Sequence, residues 1–129
     1  MYILFCNIIW VALGSAIGGV CRYLLSKFFT DNVQSLFPWG TFAVNVAGCF
    51  IIGLIYGLLD KGLGMPPGMK LFLTVGFCGG FTTFSTFMNE NFILFGGGNP
   101  LMFLLYASSS FAVGLLLLYG GYLLGGIAR

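Results

Sequence analysis

The stretch Thr74-Val-Gly-Phe-Cys-Gly-Gly-Phe-Thr-Thr-Phe-Ser-Thr-Phe87 decides the fold, because it puts poor helix formers at the centre of an apolar block. The charged residues Lys70 and Glu90 bracket this block, so its midpoint falls at residue 80. Three glycines lie within five residues there, and four hydroxyl residues follow them. Glycine costs about 1 kcal/mol relative to alanine inside a helix, and threonine is a modest helix former. The stretch therefore predicts a helix with a break near its middle.

The composition of the whole chain places this break in lipid. Of 129 residues, 59% are hydrophobic and only 6% are charged, whereas a soluble domain has about a quarter of its residues charged. The charges leave four apolar blocks, 2–21, 32–59, 71–89 and 91–128, and a spanning helix needs about 20 apolar residues. We predict one membrane domain, residues 1–129, that is all-α, with four transmembrane helices near 3–26, 39–59, 69–94 and 101–126. The third helix is expected to break at the membrane midplane.

Turn-forming residues separate the four predicted helices. The connectors are Thr30-Asp31-Asn32, Phe37-Pro38, Asp60-Lys61-Gly62 with Pro66-Pro67-Gly68, and Gly96-Gly97-Gly98-Asn99-Pro100. A cleaved signal peptide is the alternative for the first block, since Gly14-Ser15-Ala16 would pass as a cleavage site. No basic residue precedes that apolar run and the run continues past the site, so a membrane span is favoured.

Several classes of protein are excluded by what the sequence lacks. There is no histidine, hence no imidazole acid–base catalyst and no His-ligated zinc, and we expect no enzyme. A net charge of +2 is too small for a basic surface that binds the phosphates of a nucleic acid, so no nucleic-acid partner is expected. The cysteines lie in apolar blocks without CxxC spacing, which favours buried free thiols over a disulfide framework or metal site: Cys6, Cys21, Cys49 and Cys78.

Each predicted helix carries a small-xxx-small spacing, which lets two helix backbones approach closely. The pairs are Gly14/Gly18, Gly53/Gly57, Gly76/Gly80 and Gly121/Gly125. Such spacings also arise by chance in a chain with 21 glycines. They indicate a tight bundle or an oligomer.

The basic residues are almost evenly divided between the two sides of the membrane. With four spans, Lys61, Lys70 and Arg129 share one side, and Arg22 and Lys27 lie on the other. An excess of positive charge on one side normally decides how a membrane protein inserts, and here that excess is nearly absent. We therefore expect dual-topology insertion and an antiparallel homodimer with its two-fold axis in the membrane plane. Insertion in one orientation, fixed by a connector or a partner, is the alternative.

The predicted break frees backbone groups at the centre of the membrane, where they must be satisfied by protein or line a polar cavity. Discontinuous helices of transporters use freed carbonyls to hold Na⁺. If two copies meet at the dimer axis, the carbonyls around Gly79 and Thr82 could enclose one dehydrated monovalent cation. A kink plugged by hydroxyl groups, with no ion, explains the spacing equally well.

Few other polar groups lie within the predicted helices. Asn45 needs a partner, because an unpaired amide in hydrocarbon is costly. In the fourth block Tyr106 and Ser110 share a face, and they could form a hydrogen-bonding track with Asn45 and the 82–86 hydroxyls. Phe84 and Phe87 lie on one face beside these groups; core packing is the default role, but the positive edge of a ring can also approach an anion. A path of neutral donors favours a small anion, and fluoride is the smallest halide and the strongest hydrogen-bond acceptor.

Three stretches resemble the Fluc (CrcB) family of fluoride channels, in the same order and over nearly the whole chain. They are Gly14-Ser-Ala-Ile-Gly-Gly-Val-Cys-Arg-Tyr23, Trp39-Gly-Thr-Phe-Ala-Val-Asn-Val-Ala-Gly48 and Gly76-Phe-Cys-Gly-Gly-Phe-Thr-Thr-Phe-Ser-Thr-Phe87. Phe81 and Phe42 stand where the family usually has leucine.

The resemblance implies a dual-topology homodimer in the bacterial cytoplasmic (inner) membrane that exports fluoride passively through two antiparallel pores and so relieves fluoride toxicity. It implies a structural Na⁺, one per dimer, held by backbone carbonyls at Gly79 and Thr82. Matched pore residues are Asn45, Phe84, Phe87, Tyr106 and Ser110, with Ser108 and Ser109 as neighbouring alternatives to the last. Further hydroxyl candidates for the pore are Thr41, Ser85 and Thr86, and the vestibule candidates are Arg22 and Glu90.

Two other functions stay open on the residues alone. A small multidrug exporter also has four short helices in a dual-topology dimer, but it requires an acidic residue in its first helix, and residues 2–21 contain none. A membrane assembly subunit that transports nothing would use the glycine spacings to bind partner helices. That function leaves the predicted break and Asn45 without a role.

Overall fold

The computed structural model describes residues 1–127, so the predicted placement of Arg129 lies outside the described residues. Four helical stretches are long and apolar enough to cross a membrane: Tyr2–Asn32, Trp39–Asp60, Pro67–Gly96 and Pro100–Ile127. Between residues 1 and 127 all regular secondary structure is helical. The prediction of an all-α membrane protein with four spans is confirmed.

Six α-helices and one π-helical segment make up these four spans. The first two spans are single helices, α1 (Tyr2–Asn32) and α2 (Trp39–Asp60). The third span is divided into α3 (Pro67–Leu71), a π-helical segment (Phe72–Cys78), α4 (Gly79–Phe81) and α5 (Ser85–Gly96). The fourth is α6 (Pro100–Ile127), which begins with a proline as helices often do.

Helix α1 continues well beyond the predicted end at residue 26. The residues expected to form a turn there are satisfied within the helix: the Thr30 hydroxyl donates to the Ser26 carbonyl at 2.9 Å, and the Asn32 amide donates to the Phe28 carbonyl at 2.8 Å. Lys27 and Asp31 form an i,i+4 ion pair at 3.0 Å. Turn propensity is therefore overridden by local side-chain bonds that a helix also permits.

The first glycine seam joins α1 to the third span. A Cβ at Gly14 or Gly18 would collide with backbone carbonyls of the π-helical segment. Further along, a Cβ on Gly80 would lie 2.7 Å from the Ser15 carbonyl oxygen. Only glycine allows the two backbones to touch at these points, so α1 is fixed against the third span as far as α4.

The second glycine seam joins α2 to α6. A Cβ at Gly53 or Gly57 would collide with a backbone carbonyl of α6, and one at Gly121 or Gly125 with a backbone carbonyl of α2. The predicted small-xxx-small spacings thus pack helices together within the chain. Many large apolar side chains on the outside of this bundle are exposed, as a lipid-facing or subunit-facing surface requires.

The helix break falls at residues 82–84, just after the glycines that predicted it. Gly79 has ordinary helical angles, φ −62° and ψ −38°, whereas Thr82 is extended, with φ −91° and ψ 162°. The prediction of a broken third helix is confirmed. The glycines contribute close packing, and the chain leaves the helix at the hydroxyl residues.

Candidate functional site

A cavity of about 560 Å³ lies beside the break, between α2, the third span and α6. Phe84 and Phe111 on its rim are 74% and 75% exposed, so the cavity opens on the surface of the subunit. Its lining contains no Asp, Glu, Lys or Arg side chain among the residues that the structure describes. Half of the predicted site residues line it: Asn45, Gly79, Thr82, Phe84, Phe87 and Ser110.

Asn45 on α2 is paired with the backbone of the break. Its side-chain Nδ2 donates to the Thr83 carbonyl at 3.0 Å, and its Oδ1 accepts from the Thr83 N–H at 2.8 Å. Both backbone groups of Thr83 are therefore satisfied by a single amide. Asn45 thus has the partner that an amide in an apolar helix needs, and only one of its two Nδ2 hydrogens is donated to a residue between 1 and 127.

The carbonyls of the break fall into two sets. The Cys78 carbonyl accepts from the Thr82 N–H at 3.1 Å and from the Thr82 hydroxyl at 2.9 Å. In contrast, no donor between residues 1 and 127 reaches the carbonyls of Gly79 or Thr82. Since Gly79 and Thr82 line the cavity, the break offers oxygen ligands on that side.

Arg22 contacts the break from α1, whereas the cavity is lined by α2, the third span and α6. Its Nε donates to the Gly80 carbonyl at 3.1 Å, and the side chain is half-buried. A cation at this position compensates the negative end of the helix formed by the first half of the third span. The structure thus places Arg22 against the break itself; whether water reaches it as the predicted vestibule requires stays a prediction.

Glu90 forms a hydrogen-bonded cluster with two other predicted site residues. The Thr41 hydroxyl donates to Glu90 Oε2 at 2.9 Å, and the Tyr106 hydroxyl donates to Glu90 Oε1 at 2.8 Å. Tyr106 is fully buried and Glu90 half-buried. The acid is therefore held between two hydroxyl donors, which compensate its negative charge.

The phenylalanine rings connect this cluster to the cavity. Phe87 lies 5.0 Å from the Tyr106 ring, centroid to centroid, and 6.2 Å from the Phe84 ring. Phe87 is partly buried, whereas Phe84 projects from the rim. The row Phe84, Phe87, Tyr106 therefore runs from the surface of the subunit to Glu90.

The structure separates the three consecutive serines that the sequence left ambiguous. Ser110 lines the cavity, and its buried hydroxyl has no partner within the described residues. Ser109 bonds back to the Tyr106 carbonyl at 3.3 Å, and Ser108 is exposed. Ser85 and Thr86 are also exposed and lie outside the cavity lining.

Thr83 is the main residue that the sequence reasoning did not single out. It lines the cavity, bonds Asn45 through its backbone, and its hydroxyl accepts from the Thr86 N–H at 3.3 Å. Its neighbours carry the same residue types, so composition could not distinguish it. Only a predicted contact between α2 and the break would have distinguished Thr83 from its neighbours.

The fold and the site together define a four-span membrane protein whose third helix breaks beside an uncharged, donor-bearing cavity. The family described as "CrcB-like protein, Camphor Resistance (CrcB)" matches residues 9–122. The chain belongs to this family.

Curated relatives extend the similarity to nearly the full chain. A protein of Flavobacterium psychrophilum named fluoride-specific ion channel FluC is 43% identical over 118 residues, which are 92% of this chain and 95% of the relative. Proteins of the same name from Acidobacterium capsulatum and Bacteroides fragilis are 40% and 43% identical, over 91% of this chain and 94% of each relative. The resemblance seen in the sequence motifs is confirmed.

Proposed function

We propose that this protein is a fluoride-selective channel that exports cytoplasmic fluoride passively and relieves its toxicity. The observation that carries the proposal is the cavity beside the break, which is lined by Ser110, whose hydroxyl is unpaired, and by Asn45, and by no charged side chain among the residues that the structure describes. The names of the relatives, which are 40–43% identical, support the same ion.

The chemistry of this lining suits a small, strongly accepting anion. Hydroxyl and amide donors replace the water around such an ion, and the ring edges of Phe84 and Phe87 add positive potential. A fixed cation would bind the anion too tightly to release it, because conduction requires weak binding at several positions. Chloride is larger and a weaker acceptor, so a narrow path of neutral donors discriminates against it.

A passive channel suffices for export. An inside-negative membrane potential of about 100 mV drives each exported anion with about 2.3 kcal/mol. No acidic carrier group or second substrate is needed, and the relatives bear the name of channels. The proposed location is the bacterial cytoplasmic (inner) membrane, where this potential exists.

Two copies of the chain in opposite orientations form the proposed functional unit, with two antiparallel pores. The near-even distribution of basic residues in the sequence, with Arg22 and Lys27 against Lys61, Lys70 and Arg129, supports dual insertion. The cavity opens on the subunit surface at Phe84, so a second copy could complete its wall.

One structural Na⁺ per dimer is proposed at the two breaks. The Gly79 and Thr82 carbonyls that the resemblance implied as ligands receive no hydrogen bond from residues 1–127, which fits a site for a hard cation. Within the described residues no group of three or more His, Cys, Asp or Glu side chains could hold a metal, so the ligands would be backbone oxygens. When bound, the ion would supply positive charge at the dimer axis.

The decisive experiment is efflux from liposomes that contain only the purified protein, followed with a fluoride electrode and repeated with chloride. We expect fluoride efflux far above that of empty liposomes, with no requirement for a Na⁺ gradient, and almost no chloride efflux. Equal passage of both ions would indicate an unselective pore. Efflux no faster than from empty liposomes would instead favour an exporter of other substrates or an assembly subunit.

A further inference from the structure

The first helical hydrogen bond lost at the break is the one between Thr83 and Gly79. In a continuous α-helix the Thr83 N–H would donate to the Gly79 carbonyl, four residues before it. The preceding bond is intact, since the Thr82 N–H still reaches the Cys78 carbonyl at 3.1 Å. The Thr83 N–H instead donates to Asn45 Oδ1 at 2.8 Å. The helix therefore ends at the residue whose backbone N–H, that of Thr83, donates to Asn45 and not to the preceding helical turn.

Local conformational preference does not explain this ending. Gly79 keeps helical angles, and Thr82 and Thr83 are tolerated in helices at a cost of well under 1 kcal/mol each. An unpaired N–H at this depth would cost more than that, so the backbone leaves the helix only if another acceptor is offered. Asn45 supplies both the acceptor and, through Nδ2, a donor for the Thr83 carbonyl.

The position of Asn45 is fixed by the packing of α2. One turn further along, Gly48 lies against the Thr82 side chain so closely that a Cβ would collide with it. Val44, adjacent to Asn45, is fully buried. Because α2 is locked to α6 through its own glycine seam, the Asn45 amide is presented to the break by a rigid helix.

We propose that Asn45 is a positioning residue for the cation site, in addition to lining the anion path. By taking the Thr83 N–H, it leaves the Gly79 carbonyl free to bind the cation at the dimer axis. This inference rests on the proposed function, because it requires the break to hold Na⁺. It makes one side chain responsible for two sites that would otherwise be independent.

Two substitutions at position 45 separate the two roles. Asn45→Asp keeps an oxygen that accepts the Thr83 N–H, whether the carboxyl is ionised or protonated, but it adds a negative charge to the anion path. Asn45→Leu has nearly the same size and accepts nothing, so the Thr83 N–H is expected to return to the Gly79 carbonyl. The first variant should lose fluoride transport and keep the cation, whereas the second should lose both.

The experiment measures bound Na⁺ per dimer after exchange into Na⁺-free buffer, and fluoride efflux from liposomes, on the same purified samples. We expect Asn45→Asp to retain Na⁺ at or above the wild-type amount and to slow fluoride efflux at least about tenfold, equivalent to 1.4 kcal/mol. Asn45→Leu should hold at least about tenfold less Na⁺ and conduct as poorly. If Asn45→Leu does not fold, Asn45→Ala also lacks the acceptor and tests the same point.

The matched control is Ser110→Ala, which removes a cavity donor without touching the break. It should slow fluoride efflux and leave bound Na⁺ unchanged. Hydrogen exchange at the Thr83 amide gives an independent measure of its acceptor. Equal Na⁺ in Asn45→Leu and wild type would overturn the positioning role alone. Absence of Na⁺ from the wild type would overturn the proposed cation site, and the positioning role with it.

Discussion

The two glycine seams of the protein are built alike, but only one of them adjoins the candidate site. Along α2 and α6, Gly53 and Gly121 bring together two helices that both continue without interruption. Along α1 and the third span, Gly14 and Gly80 bring two backbones equally close, and the second helix breaks two residues later. Close packing of small residues therefore does not by itself create the site. It restrains the backbone on which the site is formed.

What distinguishes the first seam, between α1 and the third span, is the set of side chains that take over backbone groups of the broken helix. Arg22 satisfies the Gly80 carbonyl, and Asn45 satisfies both groups of Thr83. Among the described residues, the carbonyls left over are those of Gly79 and Thr82. In a membrane each unsatisfied group is costly, so this remainder is itself an argument for a ligand.

The largest expected effects come from adding a methyl group inside either seam. Gly18→Ala and Gly53→Ala each place a Cβ on a backbone carbonyl that cannot move away, and each should cost about 1–3 kcal/mol of stability. Unfolding by SDS in mixed micelles measures this loss. The comparison of the seams makes a second prediction: per amount of folded protein, Gly18→Ala should also slow fluoride efflux, whereas Gly53→Ala should not. Equal fluoride efflux in the two variants would show that the rigidity of the site does not depend on the seam between α1 and the third span.

The next largest effect is expected at Arg22. Arg22→Met keeps the length of the side chain and leaves the Gly80 carbonyl without its charged donor, which should cost about 1.5 kcal/mol in the same unfolding measurement. Arg22→Lys restores the charge with a different donor geometry and should recover part of the loss. If Arg22→Met is as stable as the wild type, water or the partner subunit satisfies Gly80, and Arg22 serves only as a vestibule charge.

The sequence was sufficient for the spans and for the existence of the break, because both follow from composition and charge placement. The glycines and the hydroxyl residues after them both predict the break; in the structure Gly76 and Gly80 pack the seam, as their small-xxx-small spacing also indicates, and the chain leaves the helix at Thr82–Phe84. The sequence prediction ended α1 too early, at residue 26, because turn-forming types were given more weight than the i,i+4 bonds that Lys27 and Thr30 make within the helix.

The sequence identifies a candidate site residue where a single polar residue stands in an apolar helix. It leaves the choice open where several polar residues are adjacent. Asn45 could be singled out because an amide in an apolar helix needs a partner. Which of three consecutive serines faces the cavity depends on the rotation of α6, and that rotation is set by contacts with α2 that a sequence does not display. The same holds for Thr83, whose role lies in its backbone.

A smaller effect is expected from the cavity side of the break. Ser110→Ala removes a donor that has no other partner among the described residues, so fluoride efflux should fall about tenfold, equivalent to 1.4 kcal/mol of lost stabilisation in the path. Ser108→Ala is the control, since Ser108 is exposed on the same helix and should conduct as the wild type does. A reversed order of the two variants would mean that α6 turns a different face to the path in the dimer.

The smallest effect is expected one residue away from the α2–α6 seam. An added Cβ on Gly120 meets no atom within 4 Å, whereas one on the neighbouring Gly121 collides with the Phe50 carbonyl. Gly120→Ala should therefore lose no stability and gain at most about 1 kcal/mol from the better helix former, while Gly121→Ala is destabilised as Gly53→Ala is. SDS unfolding of the two variants side by side measures the difference. A loss at Gly120 as large as that at Gly121 would show that a second copy of the chain packs against this face of α6, which would extend the seam beyond the single subunit.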